Sequence, residues 1–140
     1  MKEKCNLVET SRDGTIPALT ANKIDVIMPS LAITEKRKET MGFSSAYYTS
    51  AAILMGGKIG DMDITSAHLA GKTNGVQVSS MRAAGLDKYF SATSAIKTYQ
   101  KQGEANQDLA AGRLDYVMAN GIALDAFLKS EQGGCCEAKD

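Results

Sequence analysis

The chain is predicted to fold as an α/β protein of two lobes. Short apolar runs alternate with helical patterns along its 140 residues, the order that places helices over a largely parallel sheet. An internal repeat adds the second lobe. "LTANKIDVIM" (19–28) aligns without gaps on "LAAGRLDYVM" (109–118), with Leu, Ala, Asp and Met identical and Lys23/Arg113, Ile24/Leu114 and Ile27/Val117 conservative. Each copy reads as a helix end, a tight turn and a buried strand. Any such unit needs a stop signal and apolar residues, but the shared Asp25 and Asp115 are not required by it, so the repeat reads as a duplication. Two similar units joined by the long stretch around 47–57 imply lobes facing across a cleft.

In chain order, "CNLVE" (5–9) reads as a strand, and "SRDGTIPALTANK" (11–23) as a helix with Asp13 as N-cap. Pro17 lies close enough to its start to be tolerated, and Asn22 suits its stop. "IDVIMPS" (24–30) follows as a buried strand, and a helix runs over 34–41 from Thr34. "FSSAYYTSAAILMGG" (43–57) is extended, and "KIGDMDITSAHLAGK" (58–72) is turn-rich with a short helix. Then come the strand "TNGVQV" (73–78), a helix opened by Ser79 or Ser80, and the strand "SAIKTY" (94–99). "GEANQDLAAG" (103–112) is a helix closed by Gly112, and "RLDYVMA" (113–119) a strand. "ALDAFLKS" (123–130) is a last helix before a glycine- and cysteine-containing tail.

Composition narrows the function classes. Sixteen basic residues balance sixteen acidic ones, so no global field favours nucleic acid or an anionic membrane. Lys36, Arg37 and Lys38 form the densest basic cluster, a weak footprint. The three cysteines (Cys5, Cys135, Cys136) cannot all pair, and no Cys/His spacing suggests a metal site. The adjacent Cys135 and Cys136 read as reduced or mixed-paired, since neighbouring cysteines rarely have relaxed disulfide geometry. His68 reads as a solvated loop histidine. "MKEKCNLVET" passes directly into polar/apolar alternation with no apolar h-region, which predicts a cytosolic product or one whose export signal lies outside this sequence.

In open α/β sheets ligands bind beyond the carboxyl ends of strands. The repeat marks two such tips, Pro29-Ser30 and Ala119-Asn120; Val78-Ser79-Ser80 is a third. At the first, the helix start near Thr34 offers backbone N–H groups to an anion, and Arg37 can add a guanidinium. Arg37 has no acid three or four residues away, because those positions are Ile33, Thr34, Thr40 and Met41. A solvated arginine on a polar helix face stays open beside the anion-socket reading. Arg82, near the helix start at Ser80, repeats the arrangement; its bland reading is an outward side chain with Asp87 not far off.

"DGTIPALTANKIDVIMPSLAITEKRKETMGFSSAYY" (13–48) resembles the polar amino-acid solute-binding proteins of ABC importers, the family 3 type. "LAGKTNGVQVSS", "EANQDLAAGRLDYVMAN" and "FLKSEQGGCCEAK" are similar to later segments of that family, in order and with similar gaps. The resemblance implies a two-lobe periplasmic-binding-protein-like (type II) fold with lobe 1 incomplete and lobe 2 near complete. Residues 1–52 would be partial lobe 1, 53–56 the hinge strand and 57–140 lobe 2. Cys5 matches a position that often pairs with an upstream cysteine.

The resemblance also implies site residues. Arg37 takes the position that pairs with a ligand α-carboxylate, and Ser30 a backbone and hydroxyl contact. Ser80 takes the lobe 2 position whose N–H and hydroxyl meet the carboxylate. Ala32 stands where a hydroxyl is usual, and Met81 where threonine or serine usually follows Ser80. Asn120 stands at the acidic position that binds the ligand ammonium, and Arg12 at the aromatic that stacks on the ligand side chain. Two interpretations stay open. Arg12, Arg37 and Arg82 without an opposing acid favour an anionic ligand; alternatively, the chain is a truncated, non-binding fragment.

The implied function is capture of an amino acid or amino-acid-like carboxylate between lobes and delivery to the membrane permease of an ABC importer, in the periplasm. No cofactor, metal or nucleic acid is predicted. Dehydratase-type enzymes share this fold, but acid–base catalysis needs a carboxylate or imidazole in the cleft, and the predicted tips carry serines, an amide and arginines. No catalytic residue is predicted. Unpaired strand edges of an unfinished lobe 1 predict a homodimer or domain-swapped assembly.

Overall fold

The computed structural model of the protein describes residues 4–28, 31–57 and 65–139. The chain divides into two compact units, Met1–Tyr47 and Tyr48–Asp140.

In the first unit the described residues form two short helices, α1 (Thr15–Thr20) and α2 (Glu35–Lys38), and no strand. Gly14, not Asp13, is the N-cap residue of α1, and no side chain caps it. Thr15 is buried instead, its hydroxyl donating to the Ser11 carbonyl at 2.9 Å. The helix 34–41 shortens to four residues, with Thr34 as N-cap. The strands expected at 5–9 and 24–30 are absent from the described residues. Leu7 is 96% exposed and Met28 76% exposed, so neither segment is buried. A strand exists only as a hydrogen-bonded ladder, and no described segment pairs with either. Pro29 and Ser30 lie outside the described residues, as does 58–64 of the turn-rich segment.

The second unit shows the predicted alternation in full. Its elements are β1 (Ala52–Gly57), α3 (Ser66–Leu69), β2 (Thr73–Gln77), α4 (Met81–Phe90), β3 (Ala95–Tyr99), α5 (Gln102–Ala110), β4 (Tyr116–Asn120) and α6 (Gly121–Leu128). A 3₁₀ turn (Glu131–Cys135) and β5 (Cys136–Lys139) end it. The sequence reading assigned no element to this glycine- and cysteine-containing tail. The last predicted strand and helix start later and earlier, respectively, than read, because Asn120 both ends β4 and caps α6.

The strands form one sheet in the order β3-β2-β4-β1-β5. β2 runs parallel to β3 and β4, and β1 antiparallel to β4 and β5. Alternating residues of each strand point to opposite faces, and the core follows that rule. Met55, Val117 and Ala119 pack with Ala105 and Leu109 of α5 and Leu124 of α6. On the other face Leu54, Val76, Tyr116 and Met118 pack with Leu69 of α3 and Leu86 of α4. The sheet is therefore covered on both faces, the condition for near-continuous apolar strands. None of the described helices is long and apolar enough to cross a membrane.

The repeat is visible in the backbone. Asn22 (φ 54°) and Gly112 (φ 69°) occupy equivalent left-handed positions. The Asn22 and Lys23 amides donate to Leu19 and Ala18, as the Gly112 and Arg113 amides donate to Leu109 and Asp108, the paired bonds of a Schellman stop. Beyond the turn the copies part. The Asp115 carboxylate accepts from the Thr73 amide at 2.8 Å and joins the starts of β4 and β2, whereas Asp25 joins no described strand.

Two further readings are corrected. Cys135 and Cys136 are joined as a disulfide, with Cys136 buried against the α5/α6 core and Cys5 free and exposed. His68 lies within α3, half-buried, its Nε2 3.0 Å from the Tyr116 hydroxyl.

Asp108 ties α5 to β3 and to the turn before β4. It accepts from the Arg113 guanidinium (2.9 and 2.6 Å), the Tyr99 hydroxyl (2.6 Å) and the Lys97 ammonium (2.9 Å). Those bonds, Arg113's foremost, hold its carboxyl far below the usual carboxylate range. A depressed folded-state pKa stabilises the fold above the unfolded value of 3.8 and loses that contribution as pH falls below it. The acid limb of stability, followed by urea melts from pH 5 downward, is thus expected to be shallower in Asp108→Asn than in the parent chain. Equal limbs would remove Asp108 from the account.

Candidate functional site: the sheet crevice between β2 and β4

The second unit has a topological switch point. From β2 the chain passes through α4 to β3 on one side; from β3 it passes through α5 to β4 on the other side of β2. A crevice opens where the connections diverge, beyond the carboxyl ends of β2 and β4, and that is where doubly wound sheets hold ligands. The pairing Val76↔Met118, continued two residues, sets Val78 level with Asn120. Neighbouring strands lie about 4.8 Å apart. The tips carrying Ser80 and Asn120 are therefore neighbours. Ala52 pairs with Asn120, which brings Ser50 to the same edge.

Two helices begin at this crevice. Ser80, 8% exposed, is the N-cap of α4: its hydroxyl accepts from the Ala83 amide at 3.0 Å and donates to the Gln77 carbonyl at 2.7 Å. Its hydrogen is thus already used within the turn, and Ser79 before it sits at φ 56°. The amides of Met81 and Arg82, in the first turn, have no intrahelical acceptor, as at any helix start. Asn120 is the N-cap of α6, its Oδ1 accepting from the Ile122 amide at 2.9 Å and from the Ser50 hydroxyl at 3.0 Å. No acid lies in the first turn of either helix, so the positive ends of both dipoles face the crevice uncompensated.

Arg82 adds a cation. It is half-buried, its Nε is wholly buried, and no described group accepts from that atom. Burial lowers its pKa and Tyr48 opposes that shift, so the guanidinium remains charged. Met81 and Ile122, in the first turns of α4 and α6, are 53% and 64% exposed and offer apolar surface. Ser50, Tyr48 and Ile122 escaped the sequence reading; the signal for Ser50 and Tyr48 was their place directly before the strand at 52–57.

In the first unit, Arg37 donates from Nη1 to the Ala32 carbonyl at 2.8 Å. Its own amide is capped by Thr34, with 3.0 Å to the carbonyl and 3.3 Å to Oγ1. The structure thus joins Arg37 and Ala32, and the Thr34 cap answers the amide that the sequence offered to an anion. Glu35, two residues before Arg37, pairs with Lys38 at 2.7 Å. Arg12 is half-buried just ahead of α1. Ser30 lies outside the described residues. Among the described residues no three His, Cys, Asp or Glu side chains cluster as a metal site would require.

Comparison with known proteins gives one consistent result. The profile of the bacterial extracellular solute-binding proteins, family 3, matches residues 1–111. An L-arginine-binding protein of Pseudomonas aeruginosa is 41% identical over 139 residues, covering 95% of this chain and 52% of that protein. An octopine-binding periplasmic protein of Rhizobium meliloti is 36% identical, covering 90% and 51%. An ancestral arginine-binding protein bound to glutamine superposes with a TM-score of 0.84 at 31% identity, over 91% of this chain and 56% of that one. The chain spans about half the length of the curated relatives it matches.

Proposed function

Because the chain belongs to the bacterial extracellular solute-binding proteins, family 3, we propose that it binds an amino acid or amino-acid-like carboxylate for delivery to an ABC importer. The observation that carries this reading is the crevice of the second unit, where two helix N-termini and Arg82 present donors and positive charge at a switch point, with Ser80 as one of the caps. Ser80, Met81, Arg82 and Asn120 are the contacts of that unit, and Arg12, Ser30, Ala32 and Arg37 those of the first. Arg37, steadied by Ala32, takes a ligand carboxylate. Residues 53–56 act as the hinge strand between lobes 1–52 and 57–140. In support, β1 is the first strand met on entering the second unit and runs antiparallel to both its neighbours. The working compartment is the periplasm and the partner a membrane permease. Binding rather than turnover is favoured because the described crevice groups are donors, with no carboxylate or imidazole placed to move a proton.

A thermal-shift screen of L-amino acids and carboxylated conjugates tests the reading. A ligand at about a hundred times its dissociation constant adds roughly 2.7 kcal/mol, which moves the midpoint by several degrees. Arg37→Ala should weaken that ligand by at least about tenfold, as loss of a charge-assisted bond does. A second reading rests on the first unit, where Leu7, Val8, Val26 and Met28 are exposed: a non-binding fragment that pairs as a homodimer or domain-swapped assembly. A flat screen on cooperatively melting protein, with a dimer mass by light scattering, would establish that reading in place of the first.

A further inference from the structure

We propose that the Cys135–Cys136 disulfide is a redox-sensitive clasp: a dithiol opens it and loosens β5 from the sheet while the rest of the second unit stays folded. The clasp is independent of the binding function proposed above. The bond joins adjacent residues and closes a small ring around their own peptide bond. In the chain-entropy account a disulfide stabilises more the longer the loop it closes, and this loop is the shortest there can be. Its effect on the whole fold is therefore slight, and its place gives it a local one. Cys135 ends the 3₁₀ turn and Cys136 begins β5, so the ring fixes the backbone where turn becomes strand.

That junction decides how β5 is held. The turn is seated on α6: Gly133 fits against the backbone of Phe127 and Leu128, and its amide donates to the Ser130 carbonyl at 3.0 Å. β5, by contrast, is an edge strand bonded only to β1, and Cys136 is its one buried side chain. With the ring closed, the seated turn delivers β5 to β1 in a fixed direction. With the ring open, both residues recover torsional freedom, and the ladder and the buried Cys136 must order the strand alone. Elements with few buried contacts are the first to open. β1 thus keeps or loses one of its two neighbours with the state of these two sulfurs.

The two sulfurs differ in access. Cys135 is exposed and Cys136 is buried, so an incoming thiolate attacks Cys135 Sγ. The Cys135–Cys136 bond breaks, a mixed disulfide forms on Cys135, and Cys136 leaves as a thiolate that takes up a proton. A monothiol goes no further, because Cys136, on the next residue, stands at high effective concentration and attacks back. A dithiol completes the reaction. Its second thiol attacks the mixed disulfide, Cys135 is released and protonated, and the reagent departs as its own cyclic disulfide. The protein has then gained two electrons and two protons.

Alkylation with iodoacetamide, read by mass, counts the open thiols of the whole chain, and hydrogen exchange reads β5. Without reductant only Cys5 should react; after dithiothreitol, Cys135 and Cys136 should react as well. Exchange at Cys136–Lys139 should then quicken by about tenfold or more, with β2 and β3 unchanged and the melt still cooperative. Glutathione at the same thiol concentration should leave the disulfide closed. Cys135→Ser should exchange like the reduced chain and ignore dithiothreitol; should it not fold, the parent chain with and without dithiothreitol decides. A disulfide that dithiothreitol leaves closed overturns the clasp, as does an open one with β5 exchange unchanged. Exchange rising equally in β2 and β3 overturns it too, and so does opening by glutathione as readily as by dithiothreitol.

Discussion

Leu54→Ala is expected to lower the stability of the second unit by about 2–5 kcal/mol, toward the upper part of that range. Leu54 is fully buried in β1 and packs with Leu69, Val76, Leu86, Tyr116 and Met118. The lost transfer free energy is joined by a cavity cost whose size depends on how far the surroundings can close in. Here they are held: β1 is hydrogen-bonded to β4 on one side and β5 on the other, so the backbone cannot sink toward α4. Against a typical stability of roughly 5–15 kcal/mol, such a loss removes a third or more and lowers the melting midpoint by on the order of 10 °C. Leu7→Ala is the matched control. Leu7 is 96% exposed, and its truncation should stay within about 0.5 kcal/mol. Equal effects of the two substitutions in urea melts would mean that the sheet core is not where stability resides.

That contrast also explains what could be read ahead of the structure. The strands at 73–78 and 94–99, the Ser80 cap and the stop at Gly112 were legible because each is set by local chemistry: alternation, a hydroxyl at a helix start, a residue tolerating positive φ. The segment 24–28 has the same local signal as 114–118, yet only the second is in a ladder. Pattern specifies the willingness to pair, and the partner strand decides whether pairing occurs. Asp115 shows the difference in one residue, since it has the Thr73 amide to accept from.

The site divides in the same way. Ser80, Arg82 and Asn120 could be placed at strand tips from sequence, because the α/β alternation fixes which end of a strand faces a ligand. The state of Asn120 could not. Whether its oxygen is available depends on Ser50, 70 residues away in the chain. Arg37 likewise looked like half of an anion socket until its amide proved to be held by Thr34 and its guanidinium by Ala32. The elements of the tail went unassigned for a third reason. "CCEAK" lacks an apolar alternation, and its strand is fixed by the ladder of Cys136–Lys139 on Leu54–Gly57 and by burial of the Cys136 side chain.

Gly133→Ala is the second change with a large expected effect, and it reports on that tail. A Cβ built at Gly133 would overlap the Phe127 carbonyl oxygen and lie 2.6 Å from Leu128 Cα and 2.7 Å from the Phe127 carbonyl carbon. All three are backbone atoms of the last turn of α6, so no rotamer change relieves the clash. The 3₁₀ turn has to move off α6, and it carries Cys135, Cys136 and the start of β5 with it. Overpacking of this kind costs roughly 1–3 kcal/mol, occasionally more, and here the cost should fall locally. Hydrogen exchange at β5 amides should rise strongly in the variant while exchange in β2 and β3 changes little. Gly134→Ala supplies the control: a Cβ there meets nothing within 4 Å, and stability should shift by about 0.5 kcal/mol or less. If Gly133→Ala proved as mild as Gly134→Ala, the packing of the 3₁₀ turn on α6 would be wrong, and β5 would have to be held by the ladder to β1 alone.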